Sequence, residues 1–224
     1  MAEQLTFPLH LRSAQGREDF FISPANALAV TTLDSPETWP LGRMILIGPE
    51  GAGKTHLAAI WADEHEAAIL PAHALNEEMA PALVAQGAAV IEDAPAIAES
   101  EAGQRALFHL HNLMQAEGGR MLLTAQTPPR DWGMSLPDLI SRMEATATVR
   151  ITPPDDALLA AVLVKLFADR QLTVPPTLIP WLVTRMDRSL ATARRLVAAL
   201  DRQALAQRRA ITQRLAAEVL DSLD

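Results

Sequence analysis

Gly48-Pro49-Glu50-Gly51-Ala52-Gly53-Lys54-Thr55, entered from the apolar run Met44-Ile45-Leu46-Ile47, is the stretch whose reading decides the fold. It satisfies G-x-x-x-x-G-K-[ST], and it stands after a predicted strand and at the opening of a predicted helix, where the chemistry of that pattern needs it. Glycines let such a loop wrap so that successive backbone N–H groups point at phosphate oxygens, and the following helix adds the partial positive charge of its N-terminus. Lys54 then reaches the outer phosphates of a nucleotide, and Thr55 offers its hydroxyl to Mg²⁺. Composition sharpens the point. Of 19 basic residues only Lys54 and Lys165 are lysines, so arginine is strongly favoured along the chain. A lysine is kept where a compact ammonium is needed, because a planar guanidinium does not replace a point charge at closely packed phosphates.

Outward from the loop, helical signals run from Lys54 to about His65. Residues 67–70, 88–91, 121–125 and 147–151 add four strand candidates, with helical patterns between most of them. This alternation predicts an α/β domain with a parallel sheet covered on both faces. The strand Ala88-Ala89-Val90-Ile91 ends in Glu92 and Asp93. That is where a phosphate-binding fold of this kind places an acid supporting Mg²⁺, here Glu92, and a water-orienting base, here Asp93. After Pro153-Pro154, Asp155 or Asp156 can cap a helix, and helical periodicity continues to Leu223 with breaks at Val174-Pro175-Pro176 and near residues 209–211. A boundary therefore falls at residues 153–154, leaving a helical unit over residues 154–224.

A chain of 224 residues with 49% hydrophobic content supplies one α/β core and an appendage. No uncharged apolar run of about eighteen residues and no basic-then-apolar leader is visible, so the expected location is cytoplasmic. The absence of cysteine excludes disulfides, thiolate catalysis and cysteine-bound metal centres. A net charge of −8 disfavours strong direct binding to nucleic acid, whose affinity for proteins comes largely from lysine and arginine on phosphates.

Residues 48–57, which continue the loop through His56 and Leu57, resemble the nucleotide loop of the bacterial replication initiator DnaA and its relatives in the AAA+ class. Leu122-Leu123-Thr124-Ala125-Gln126-Thr127-Pro128-Pro129 resembles that family's sensor-1 strand and following turn, and Leu136-Pro137-Asp138-Leu139-Ile140-Ser141-Arg142 its arginine-finger segment. Arg194, within residues 193–200, falls at the sensor-2 arginine of the family's helical lid, preceded by Arg185-Met186-Asp187-Arg188. The resemblance implies a three-layer AAA+ domain over residues 13–153, an all-α lid over 154–224, and ADP or ATP as ligand. It places Gly48, Pro49, Glu50, Gly51, Ala52, Gly53, Lys54, Thr55, His56, Gln126 and Arg194 around the nucleotide, Thr55 and Glu92 at Mg²⁺, and Arg142 with Asp93 in catalysis. His56 is expected to pack or cap the first helical turn.

Within the family, the chain is most similar to regulators that join the replication sliding clamp and switch the initiator off. Gln4-Leu5-Thr6-Phe7-Pro8-Leu9 resembles their clamp-binding peptide, in which Leu5 and Phe7 fill an apolar pocket while Gln4 and the backbone fix orientation; Pro8 and Leu9 complete it. Residues 1–12 are assigned to this peptide. The last residue, Asp224, follows directly on the lid, so the initiator's C-terminal DNA reader is expected to be missing. The implied partners are the sliding clamp and DnaA, and a homodimer is compatible with the resemblance. Two departures stand out. Relatives put aspartate first in the strand-end acidic pair, and this chain has Glu92 before Asp93; Gln126 replaces an acid. Hydrolysis within this chain is therefore expected to be weak or absent. The competing readings are a clamp-associated adaptor that catalyses nothing and, further off, a small-molecule kinase, for which no acceptor pocket or arginine-bearing lid loop is visible.

Overall fold

A computed structural model describes Arg17 and residues 20–222. The clamp-peptide residues Gln4, Leu5, Phe7, Pro8 and Leu9 lie outside the described residues. Five parallel strands form one sheet: β1 (Arg43–Ile47), β2 (Ala68–Pro71), β3 (Ala88–Glu92), β4 (Arg120–Ala125) and β5 (Thr148–Arg150), in the spatial order β2-β3-β4-β1-β5. Five helices accompany them: α1 (Ala27–Leu33), α2 (Lys54–Glu64), α3 (Ala80–Ala85), α4 (Glu101–Ala116) and α5 (Pro137–Ala145).

The central strands read as unbroken apolar runs because both faces of the sheet are covered. Side chains alternate across the pleat, so Ile45, Ile47, Ala89, Ile91, Met121 and Leu123 enter one core with α4 and α5, while Met44, Leu46, Ala88, Val90 and Leu122 enter the other with α1 and α2. The result is the three-layer α/β arrangement expected. Strand positions match to within a residue or two at each end. β5 is shorter than residues 147–151 because it is an edge strand paired only with β1, although Ile45 N–H to the Ala147 carbonyl (2.9 Å) and Ile151 N–H to the Ile47 carbonyl (2.8 Å) prolong the contact.

Among the described residues beyond 155, four helices follow: α6 (Asp156–Asp169), α7 (Leu178–Val183), α8 (Leu190–Gln207) and α9 (Gln213–Leu220). Asp155, Ser189 and Thr212 cap α6, α8 and α9 by accepting backbone N–H groups with their side-chain oxygens. These helices bury their own apolar cluster, including Leu159, Leu163, Leu178, Leu182, Leu196, Leu200, Leu215 and Val219. One break was not anticipated. The chain also leaves the helix at residues 184–189, because the Ser189 cap restarts it at Leu190, and Arg188 there pairs with Asp156 at 2.7 Å. No helix among the described residues is long and apolar enough to cross a membrane.

Candidate functional site

The carboxyl ends of β1, β3 and β4 open onto one cleft, as expected where ligands meet a parallel sheet. Its volume is about 420 Å³, within the range of small-molecule sites. The loop after β1 forms its floor. Gly51 and Gly53 adopt left-handed φ values of 71° and 103°, which side chains disfavour, and Gly53 opens α2. Gly48 is held close to β5: a Cβ there would lie 2.7 Å from the Ile151 carbonyl oxygen. Pro49 forms the stem of the loop, and Ala52 is buried in the apolar cluster beneath it.

Lys54 Nζ donates to the carbonyls of Gly48 (2.8 Å) and Pro49 (2.9 Å), so the ammonium is held over the loop with a third proton still available. Burial lowers its pKa from the ordinary lysine value, an effect opposed by the negative charges of Asp93, Glu50 and Glu92. Those carboxylates favour the charged ammonium that a phosphate requires.

Glu50, Gly51, Gly53, Lys54, Thr55, His56, Glu92, Asp93, Gln126 and Arg194 all line the cleft. A Mg²⁺ ion fits the residues present: Glu92 Oε1 is buried without a hydrogen-bond partner, and the exposed Thr55 hydroxyl lines the same cleft. Asp93 sits at a left-handed φ of 52°, and its N–H donates to Thr124 Oγ1 at 3.0 Å. The end of β3 is thereby tied to the end of β4, and Asp93 itself remains exposed. His56 packs edge-on to Phe20, with ring centroids 5.2 Å apart, which fits the packing role expected of it.

The helical unit closes the cleft directly. Leu190 N–H donates to the Gly51 carbonyl at 2.7 Å, so the first turn of α8 rests on the phosphate loop. A Cβ on Gly51 would lie 2.0 Å from Ser189 Oγ. One helical turn beyond Leu190, Arg194 reaches the cleft, where burial lowers the pKa of its guanidinium. Thr124 and Ala125 of the sensor-1-like segment line the cleft without having been assigned to it, and sequence reasoning missed Pro71, His73 and Ala191, which line it as well. For His73 the only available signal was its position just past the carboxyl end of β2.

Arg142 is not part of this cleft. It lies on α5, with its guanidinium carbon 5.4 Å from the centre of the Phe108 ring and Nη1 3.5 Å from Gln115 Oε1. Among the described residues it makes no ion pair.

No family model matches the chain. Among solved structures, domain III of the Thermotoga maritima replication initiation protein DnaA aligns with a TM-score of 0.76 at 16% identity, over 93% of this chain and 96% of that one. AMPPCP-bound DnaA from Aquifex aeolicus aligns with a TM-score of 0.67 at 18% identity, over 89% and 71% of the two chains. The FIGL-1 AAA domain in complex with ADP aligns with a TM-score of 0.67 at 17% identity, over 89% and 80%. Identities this low speak for the fold alone, and the three-layer sheet domain with its helical unit is the fold that this chain shares with these structures.

Proposed function

We propose that the protein is an adenine-nucleotide-binding regulator of replication initiation, similar to Hda, the DnaA-related inactivator, and that it promotes hydrolysis of ATP bound to DnaA while attached to the sliding clamp. In this reading Lys54, Thr55 and the loop amides grip the phosphates of ADP or ATP, with Glu92 and Thr55 holding Mg²⁺. Mg²⁺ bound by these residues would offset the negative charge of the phosphates. Arg194 contributes from α8, and the bond from Leu190 to Gly51 keeps the lid at a fixed angle to the sheet. The N-terminal peptide with Gln4, Leu5, Phe7, Pro8 and Leu9 docks on the clamp.

The observation that carries the reading is Arg142: an arginine outside its own nucleotide cleft, with no ion-pair partner among the described residues, on a DnaA-like fold. Such a guanidinium can serve charge developing on another chain's nucleotide. An adaptor that binds nucleotide without turning it over has one observation in its favour. Asp93, the acid in the base position, is exposed at the cleft rim.

The deciding experiment measures turnover of DnaA-bound ATP in the presence of DNA-loaded clamp. Arg142→Ala is expected to lower the stimulated rate about 1,000-fold, the lower end of the effect of an arginine finger, with ADP affinity unchanged. An unaltered stimulated rate would remove the finger, and no stimulation by the wild type would leave the adaptor reading standing.

A further inference from the structure

The surroundings of Arg142 show how its charge is held. Phe108, His111 and Gln115 follow one another at helical spacing on α4, so they share one face of that helix. Arg142 meets this face at both ends, over the Phe108 ring and at the Gln115 amide oxygen. No other hydrogen bond of its guanidinium occurs among the described residues, although an arginine carries five N–H donors.

Beneath lies a second arginine. Arg43, the first residue of β1, is 1% exposed, and its guanidinium donates to the carbonyls of Leu41 and, at 2.6 Å, of His111. Its Nε has no hydrogen-bond partner, and no ion pair to Arg43 occurs among the described residues. Arg43 and Arg142 repel each other, which adds to the lowering of the Arg43 pKa by burial. His111, buried within electrostatic reach of both, is kept neutral by that burial and by the two cations. The α4/α5 face thus has a buried fixed positive charge, a neutral imidazole above it, and a surface guanidinium that none of these groups neutralises.

We propose that Phe108 and Gln115 are positioning residues for Arg142: ring and amide hold the guanidinium flat against α4, with its free N–H edge turned toward a polyphosphate on a neighbouring chain. The inference rests on the proposed action of Arg142 in trans. A ring face attracts a cation without consuming its hydrogen-bond donors, and a neutral amide takes one donor without cancelling charge. Repulsion from Arg43 opposes any retreat of the guanidinium into the protein. A carboxylate in place of Gln115 would orient Arg142 equally well and would quench it.

The test uses the full chain with DnaA-ATP and DNA-loaded clamp, and determines kcat separately from the concentration giving half-maximal stimulation. Phe108→Leu, which keeps an apolar side chain between α4 and α5, should lower kcat about three- to tenfold with half-saturation within about twofold, and Phe108→Tyr should restore it. Gln115→Glu is the sharper variant. It should lower kcat at least about tenfold by pairing with Arg142, while the melting temperature stays level or rises. Residues that merely pack would show wild-type kcat in Phe108→Leu and Gln115→Glu, and that result overturns the positioning role even if Arg142→Ala abolishes stimulation. If Arg142→Ala itself retains full stimulation, the trans-acting reading fails and this inference fails with it.

Discussion

The cleft at the sheet's carboxyl edge and the Arg142 face each present a cation, and they hold it in opposite ways. In the cleft, Lys54 is anchored within its own loop by the Gly48 and Pro49 carbonyls, with Asp93, Glu50 and Glu92 supporting its charge. On the α4/α5 face, Arg142 has a ring and an amide for neighbours and another arginine beneath it. The first arrangement is complete within one chain, since loop, acids and lid all come from it. The second has no counter-charge of its own among the described residues, which is the arrangement expected of the proposed group that acts on another chain. The two regions differ in whether the molecule supplies its own counter-charge.

Substitutions that separate the two regions test this contrast. Lys54→Ala removes the charge-assisted phosphate contact and should weaken ADP binding about 100-fold by calorimetry at millimolar Mg²⁺. The surroundings of Arg142 should not change. Undiminished uptake would mean that the loop is not the phosphate site.

The open face should reveal itself through pH. His111, at 3% exposure, has its pKa lowered to about 4 by burial first and then by Arg43 and Arg142, against an ordinary value of 6.5. As pH falls below about 6.5 the unfolded chain takes up this proton before the folded one does, so stability declines toward pH 4 and is flat above 6.5. Between pH 7 and pH 5 the loss from this group should be about 2 kcal/mol, at 1.36 kcal/mol per unit of differential protonation. Denaturant titrations on the wild type and on His111→Gln check it: the slope should flatten in the variant, and equal slopes would place the acid sensitivity elsewhere.

The smallest effect is expected at the seam. Arg194→Ala leaves the loop and its lysine intact and removes one cation at the cleft edge, so ADP affinity should fall about tenfold. A loss as large as that of Lys54→Ala would show that the lid supplies as much of the grip as the loop does.

The turn of the loop after β1 was legible because its geometry is local: the backbone turn, the two left-handed glycines and the ammonium that folds onto it all come from eight consecutive residues. The sheet was legible for a related reason, since alternating apolar runs with helical spacers admit few other layerings. Cleft residues His73, Thr124 and Ala191 were not legible as lining, because each depends on where separate strands or helices end in space. The helix restart at Ser189 was hidden for the same reason that makes it useful: its neighbour Leu190 bonds to Gly51, far away in sequence.

What the order of amino acids determined by itself was the alternation of elements, the glycine-rich turn after β1 and the acids at the end of β3, because these follow from backbone preference and contacts between neighbours along the chain. The family resemblance already set Arg194 at the cleft and Arg142 apart from it; tertiary structure alone decided that Arg142 lies over Phe108, close enough to the buried Arg43 for the two charges to repel. Long-range electrostatics and ring contacts depend on distances that only packing sets, so arginines of one chemistry came to have different surroundings.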